Sequence, residues 1–206
     1  MWIRDKIAKT GAVLEGEYFF ALASGRVSNK YINFDAVFAF PELVDEIGEL
    51  LVAEVKEDFD VIAGPAVGAI PLIYAVARHY NAVGTRTVWA DKKDGSFVFE
   101  RMGFAKTVRK KRVLVVEDVT TTGASAKAVG KLVEQEGGRV IAYLSAWNRG
   151  VTAEKMGAPA YTLVNESAPS WAPGEHAMWG KWPLVEDIGH PEHITEYHGS
   201  RISLLI

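Results

Sequence analysis

The stretch Arg112-Val-Leu-Val-Val-Glu-Asp-Val-Thr-Thr-Thr-Gly-Ala-Ser125 constrains the fold of this chain more than any other. Val113 to Val116 are apolar at consecutive positions, the pattern of a parallel strand buried on both faces. Glu117 and Asp118 close that run, at the carboxyl end where open α/β sheets place their ligands. Val119 and Thr120 lead into Thr121, Thr122, Gly123, Ala124 and Ser125, which offer hydroxyls and backbone N–H groups just before a helical pattern, a ready anion cradle. A plain capped turn needs one hydroxyl. Here four hydroxyl residues, a glycine and two acids converge. Carboxylates beside an anion cradle suit a ligand with both sugar hydroxyls and a phosphate.

The rest of the chain alternates between strand and helix patterns. The spacing predicts a short helix over 5–14 and strands over 18–22 and 31–38. A helix opened by Pro41 is expected over 41–55, then a strand over 61–63, a turn over 64–69 and a helix over 70–79. A strand over 85–90, a long polar loop or hairpin over 91–112, a helix over 125–135 stopped at Gly137–Gly138, and a strand over 140–147 complete the pattern. Such alternation implies an α/β fold with a mainly parallel sheet and right-handed crossovers. A length of 206 residues fits one such domain.

Composition excludes several classes. The net charge of −3 gives no support for sequence-independent nucleic-acid binding. No cysteine is present, so disulfides, thiol nucleophiles and cysteine zinc sites are ruled out. The N-terminus Met-Trp-Ile-Arg-Asp-Lys lacks the apolar core of a signal peptide, and no run reaches the ~18 apolar residues of a membrane span. A cytoplasmic protein with no membrane partner is expected. Trp171, Trp179 and Trp182 cluster near the end, so a packed tail is expected.

Three further segments carry candidate chemistry. Gly64-Pro-Ala-Val-Gly-Ala-Ile-Pro71 lies between a strand and a helix, and its two glycines and two alanines let a ligand approach the backbone closely. Alone it reads equally well as a tight turn; beside the first cradle it suits the other end of a doubly phosphorylated ligand. Lys92, Lys93 and Arg101 sit in a polar stretch with glycines at 95 and 103, which reads as a solvated hairpin or as a cationic lid. Ala23-Ser-Gly-Arg-Val-Ser-Asn-Lys-Tyr31 is a polar loop with two cations before an aromatic segment.

Together these segments resemble the type I phosphoribosyltransferases, and most closely their orotate branch. Val113 to Ser125 is similar to that family's phosphoribosyl-diphosphate motif, with Ala124 in place of a second glycine. The segment 23–31 resembles its Ser-Gly-Arg-x-Ser base-site segment, 64–71 its diphosphate loop, and Asn148-Arg149 its Asp-Arg pair. The resemblance covers roughly residues 18 to 150. It implies a central mainly parallel sheet flanked by helices. Its small hood would be built from approximately 1–40, the core from 41–150, and 151–206 would complete the core and form the Trp-rich tail, itself a second candidate contributor to the hood.

It also implies transfer of a phosphoribosyl group from phosphoribosyl diphosphate to orotate, by positioning and charge stabilisation. Glu117, Asp118, Lys92 and Arg101 would be catalytic, with the two acids on the ribose hydroxyls. Thr121 to Ser125 would cradle the 5-phosphate, with Val119 and Thr120 also touching substrate, and Ala66, Val67 and Gly68 would hold the diphosphate, with Lys92 and Lys93 nearby. Ser24, Gly25, Arg26, Lys30 and Tyr31 would border the base. Arg149 would pair with the orotate carboxylate, a task suited to a planar guanidinium, with Thr121 beside the same base. Mg²⁺ would be held through substrate near Asp118, needing few protein ligands, and a homodimer is expected. The chain departs from the pattern at Ala23 (often lysine), at Asn148 (often aspartate), at Trp182 (a cysteine in one group) and in a lid without histidine. A purine acceptor and a non-catalytic nucleotide sensor are the alternatives that remain.

Overall fold

In the computed structural model, which describes residues 2–22, 25–80 and 83–185, the alternating pattern becomes a six-stranded sheet with helices on both faces. The chain begins with α1 (Ile3–Lys9), the hairpin β1 (Val13–Ala21) and β2 (Val27–Ile32), the helical turn α2 (Asp35–Phe38) and α3 (Pro41–Glu54). The main sheet follows in β3 (Val61–Pro65), α4 (Ile70–His79), β4 (Arg86–Lys93), β5 (Ser96–Val98), α5 (Phe104–Val108), β6 (Arg112–Thr120), α6 (Ala124–Gln135), β7 (Arg139–Asn148), α7 (Ala153–Met156) and β8 (Ala160–Asn165). A short β9 (Leu184–Val185) closes the described chain.

The strand order is β5-β4-β3-β6-β7-β8, parallel throughout except for the β4–β5 hairpin. Each central strand feeds two cores, as a doubly covered sheet requires. Leu114 and Val116 pack with Ile47, Leu51, Leu72 and Ile73 of α3 and α4. Val113 and Val115 pack with Ala126, Val129 and Val133 of α6 on the other face. Pro41 starts α3 because its fixed φ suits the first helical position. Among the described residues no helix is long and apolar enough to cross a membrane.

A second sheet of order β2-β1-β9 forms the hood. Its anchor is Phe19, fully buried in β1. The Trp-rich tail closes around that ring. Trp171, His176, Trp179 and Trp182 lie 6.1, 5.3, 5.7 and 5.3 Å from it between ring centroids. These are distances at which aromatic pairs attract beyond their area burial.

Several local expectations change. The segment 31–38 is not one strand: β2 ends at Ile32 and Asp35–Phe38 is helical. The Asn33 Oδ1 accepts the Asp35 N–H at 3.1 Å and turns the chain, and Phe34 and Phe38 meet at 5.7 Å as a helical i, i+4 pair. The aromatic richness thus reflected a 3.6-residue period, not alternation. The first helix is shorter than expected, and residues 13–14 already belong to β1. The polar stretch 91–112 holds the end of β4, β5, α5 and the start of β6. β6 continues past Val116 to Thr120, so Glu117 and Asp118 lie inside a strand. β8 had no sequence expectation.

Phe19→Ala should destabilise the protein by about 3–5 kcal/mol, the cost of truncating a buried aromatic. Urea unfolding measures it, and the near-ultraviolet circular dichroism of the tail tryptophans should weaken in parallel. A change below about 1 kcal/mol would show that the tail does not depend on this ring.

Candidate active site

Loops after β2, β3, β6 and β7 converge on one cleft of about 360 Å³. Tyr31, Asn33 and Asp35 line it from β2 and the turn after it, with the Arg149 guanidinium beside them, Val67 and Gly68 from the loop after β3, and Asp118, Val119 and Thr121 from β6 and its loop. Strand alternation decides what each acid can do. Successive side chains in β6 point to opposite faces, so Asp118 opens to the cleft while Glu117 turns toward α6.

Glu117 is only 7% exposed and is not among the residues lining the cleft. Its carboxyl accepts the Thr120 hydroxyl at 3.4 Å and also meets the Ser125 hydroxyl and the Ala126 N–H. Burial, and then the neighbouring Asp118 charge, push its pKa up to about 8. The Asp118 carboxyl is raised as well, chiefly by burial, while the Val119 N–H at 2.8 Å favours its charged form. Gly68 closes directly on Asp118: a Cβ there would lie 2.7 Å from Oδ2, so any side chain would displace the carboxylate.

The first cradle begins with Thr121 and Thr122, both exposed at the mouth of α6. Gly123 takes φ +76°, and a Cβ would meet the Met156 sulfur at 2.5 Å, so only glycine fits this turn. The Ala124 N–H donates to Thr122 Oγ1 at 3.3 Å, and α6 starts there. In the second cradle the Ala66 N–H donates to the Ala90 carbonyl at 2.8 Å, and the Ala66–Val67 peptide is cis.

Arg149 is half-buried, and burial lowers its pKa. Its backbone N–H donates to the Thr120 carbonyl at 2.8 Å. Its Nη2 donates to Ser28 Oγ at 3.2 Å and to the Lys30 carbonyl at 3.0 Å. Asn148 closes the turn beneath it: Oδ1 accepts the Gly150 and Val151 N–H groups at 3.1 and 2.8 Å, and Nδ2 donates to the Val151 carbonyl at 2.7 Å.

Other expected site residues lie elsewhere. The Lys30 ammonium is buried on Glu166, with Glu15 at 3.3 Å, and does not line the cleft. Arg26 is exposed and binds the Ser170 hydroxyl and carbonyl at 3.0 and 2.5 Å, next to the exposed Gly25. Ser24 falls outside the described residues. Lys92 lines a neighbouring groove of about 420 Å³ with Phe97, Ala124 and Ser125, beside the first cradle. Lys93 pairs with Glu100 at 2.5 Å, and Arg101 lies 3.5 Å from Asp91. Asn33 and Asp35 were not expected in the site, and Ser28, although it ends the Ser-Gly-Arg-x-Ser segment, carried no expected role of its own. The Asn-x-Asp spacing of a side-chain-capped turn was the signal for the first two.

Comparison with known proteins follows the same residues. Residues 33–176 match the family model described as "Phosphoribosyl transferase domain". The orotate phosphoribosyltransferase of Thermotoga maritima is 36% identical over 172 residues, covering 83% of this chain and 88% of that protein. The crystal structure of orotate phosphoribosyltransferase from Aeropyrum pernix superposes with a TM-score of 0.63 at 23% identity, covering 79% of this chain and 93% of that one. Adenine phosphoribosyltransferase from Thermoanaerobacter pseudethanolicus gives 0.55 at 21% identity, covering 66% and 88%. The fold alone therefore does not choose between a pyrimidine and a purine.

The raised Glu117 pKa has a signed consequence for stability. Between its ordinary 4.5 and about 8, the folded protein keeps a proton that the unfolded chain has released. Stability therefore falls as pH rises through that window. Glu117→Gln should make urea midpoints fall less between pH 5 and pH 8 than in the parent. Some slope should remain, since Asp118 is shifted in the same sense. Identical slopes would locate the proton elsewhere.

Proposed function

Because this chain belongs to the phosphoribosyltransferase family, we propose that it transfers the 5-phosphoribosyl group of phosphoribosyl diphosphate to orotate, releasing diphosphate and orotidine 5′-monophosphate. It is an enzyme of the orotate branch. The observation that carries this reading is Arg149, a half-buried cation that lines the cleft beside Tyr31. Its partners Ser28 and the Lys30 carbonyl are neutral, so a carboxylated base offers it the counter-charge it lacks, whereas a purine would leave the charge uncompensated in a partly dry site, at a cost.

In the reaction a ring nitrogen of orotate attacks C1 of the ribose and loses its proton to solvent, while the bond from C1 to the diphosphate oxygen breaks and diphosphate leaves with the electron pair. Positive charge develops on the sugar. The protein's contribution is to hold the two reactants together and to face that charge with fixed groups. Asp118 accepts hydrogen bonds from the ribose hydroxyls. Thr121 to Ser125 receive the 5-phosphate at the N-terminus of α6, where free N–H groups and the helix dipole favour an anion. Ala66 to Gly68 receive the diphosphate through the backbone. Lys92 adds charge from the side of Ser125. Glu117 braces the first cradle from behind, through Thr120, Ser125 and Ala126. Lys93 and Arg101 exchange Glu100 and Asp91 for phosphate oxygens when the hairpin closes.

Among the described residues, no group of three or more His, Cys, Asp or Glu gathers to hold a metal. That suits Mg²⁺, which keeps most of its shell as water and phosphate oxygens and takes one or two carboxylates. Asp118 would hold it beside the substrate, where it would offset the charge of the departing diphosphate. A homodimer in the cytoplasm completes the reading.

Diphosphate release should require orotate and Mg²⁺ together. Turnover with hypoxanthine or guanine and none with orotate would overturn the acceptor. Asp118→Asn should lower kcat by roughly a hundredfold, as when one charge-stabilising group is removed, with little loss of stability; wild-type kinetics would remove Asp118 from the site. Arg149→Ala should raise the KM for orotate at least about tenfold while the donor KM stays within about twofold, since a hydrogen bond to a charged partner is lost on one side only. Equal effects on both substrates would exclude the pairing.

A further inference from the structure

Ser28 is fully buried in β2, and its hydroxyl serves no phosphate or ribose contact in the scheme above. Four groups surround its oxygen. The Lys30 N–H donates to it at 3.1 Å and Arg149 Nη2 at 3.2 Å. The carbonyls of Pro169 and Lys30 lie at 2.7 and 2.9 Å. A hydroxyl has one proton, and the shorter contact directs it to Pro169. That leaves the oxygen lone pairs for Lys30 and Arg149. The second proton of Arg149 Nη2 goes to the Lys30 carbonyl at 3.0 Å. One end of the guanidinium is thus held twice from β2, and the rest lines the cleft.

The segment behind Ser28 is laced to β2 on both sides. Val27 and Trp171 exchange backbone hydrogen bonds at 2.9 and 2.8 Å. Arg26 binds Ser170, and the Lys30 ammonium binds Glu166. An unrestrained arginine side chain carries about 2 kcal/mol of rotamer entropy. Fixing it before the ligand arrives removes that cost from binding.

We infer that Ser28 is a positioning residue for the acceptor base: with the Lys30 carbonyl it aims Arg149 into the cleft, and the tail segment around Pro169 holds Ser28 in place. This rests on the orotate reading and deepens it, by joining acceptor recognition to the tail that follows β8.

The test is a double-mutant cycle in the full chain. Ser28→Ala should raise the KM for orotate by roughly tenfold, the effect of one hydrogen bond to a charged group. The KM for phosphoribosyl diphosphate should stay within about twofold. In an Arg149→Ala background, the same substitution should add less than about twofold, because residues that act through one another are not additive. If Ser28→Ala does not fold, Ser28→Cys fills nearly the same space with a poor acceptor and carries the same expectations. An equal effect on both substrates, or an undiminished effect without Arg149, overturns the inference. Failure of the wild-type protein to use orotate at all would instead overturn the underlying reading, so the two failures are distinct.

Discussion

The site depends on the pairing of β6 with β7. Their parallel register sets Val119 against Trp147 and Thr120 against Asn148. The ladder continues one step further, with the Arg149 N–H on the Thr120 carbonyl at 2.8 Å. The start of the first cradle and the cation that lines the cleft are therefore one hydrogen bond apart along the backbone. The apolar run Val113 to Val116 fixes that register from below, because its alternate side chains fill two different cores. A slip of one residue would reverse every side chain. It would bury Asp118 under α6 and expose Glu117 to the cleft.

The opposite side of the cleft is held by a mixture of charge and aromatic packing. Arg4 binds Glu166 at 2.9 and 3.2 Å, and the same carboxylate takes the Lys30 ammonium. The Arg4 hydrogen bond, followed in effect by Lys30, draws the Glu166 pKa down to about 2 despite partial burial. Its contribution to stability is present above the ordinary carboxylate range and is lost as pH falls from there toward 2. Lys30 is buried, so its pairing is obligatory: an unpaired ammonium there would be costly. Its side chain and its carbonyl therefore face different tasks, the first fixing the end of β8 and the second fixing Arg149.

The main sheet was legible because its signals are local. Consecutive apolar residues at Val113 to Val116, Pro41 before a helical stripe and Gly137–Gly138 after one each carry their own physical reason. What the sequence hid came from longer range or finer geometry. Lys30 and Arg26 read as substrate cations because their acids, Glu166 and Glu175, lie far along the chain. Ser28 looked like one more loop hydroxyl, since Pro169 and Arg149 are also distant in sequence. The two acids read as one unit because the strand was expected to stop at Val116. Once β6 runs to Thr120, the two-residue period of a strand separates them, and a pair of identical charges acquires two different surroundings.

In the proposed reading the hairpin formed by β4 and β5 is a lid whose cations Lys93 and Arg101 rest on its own acids until a substrate arrives. Lys93 and Arg101 face Glu100 and Asp91 within their own segment, while the exposed Lys92 stands beside the first cradle. The Lys93–Glu100 pair is exposed on both sides, and such pairs contribute little and are screened by salt, whereas Asp91 is half-buried under its pair with Arg101. Breaking the first pair is a small obstacle. In the proposed reading, a donor with several phosphate charges held at the mouth of α6 would offer each cation a stronger partner, because the same charges interact more strongly in a drier medium. The acids on the hairpin would then set a threshold that a lone weak anion does not repay and a diphosphate beside a 5-phosphate does.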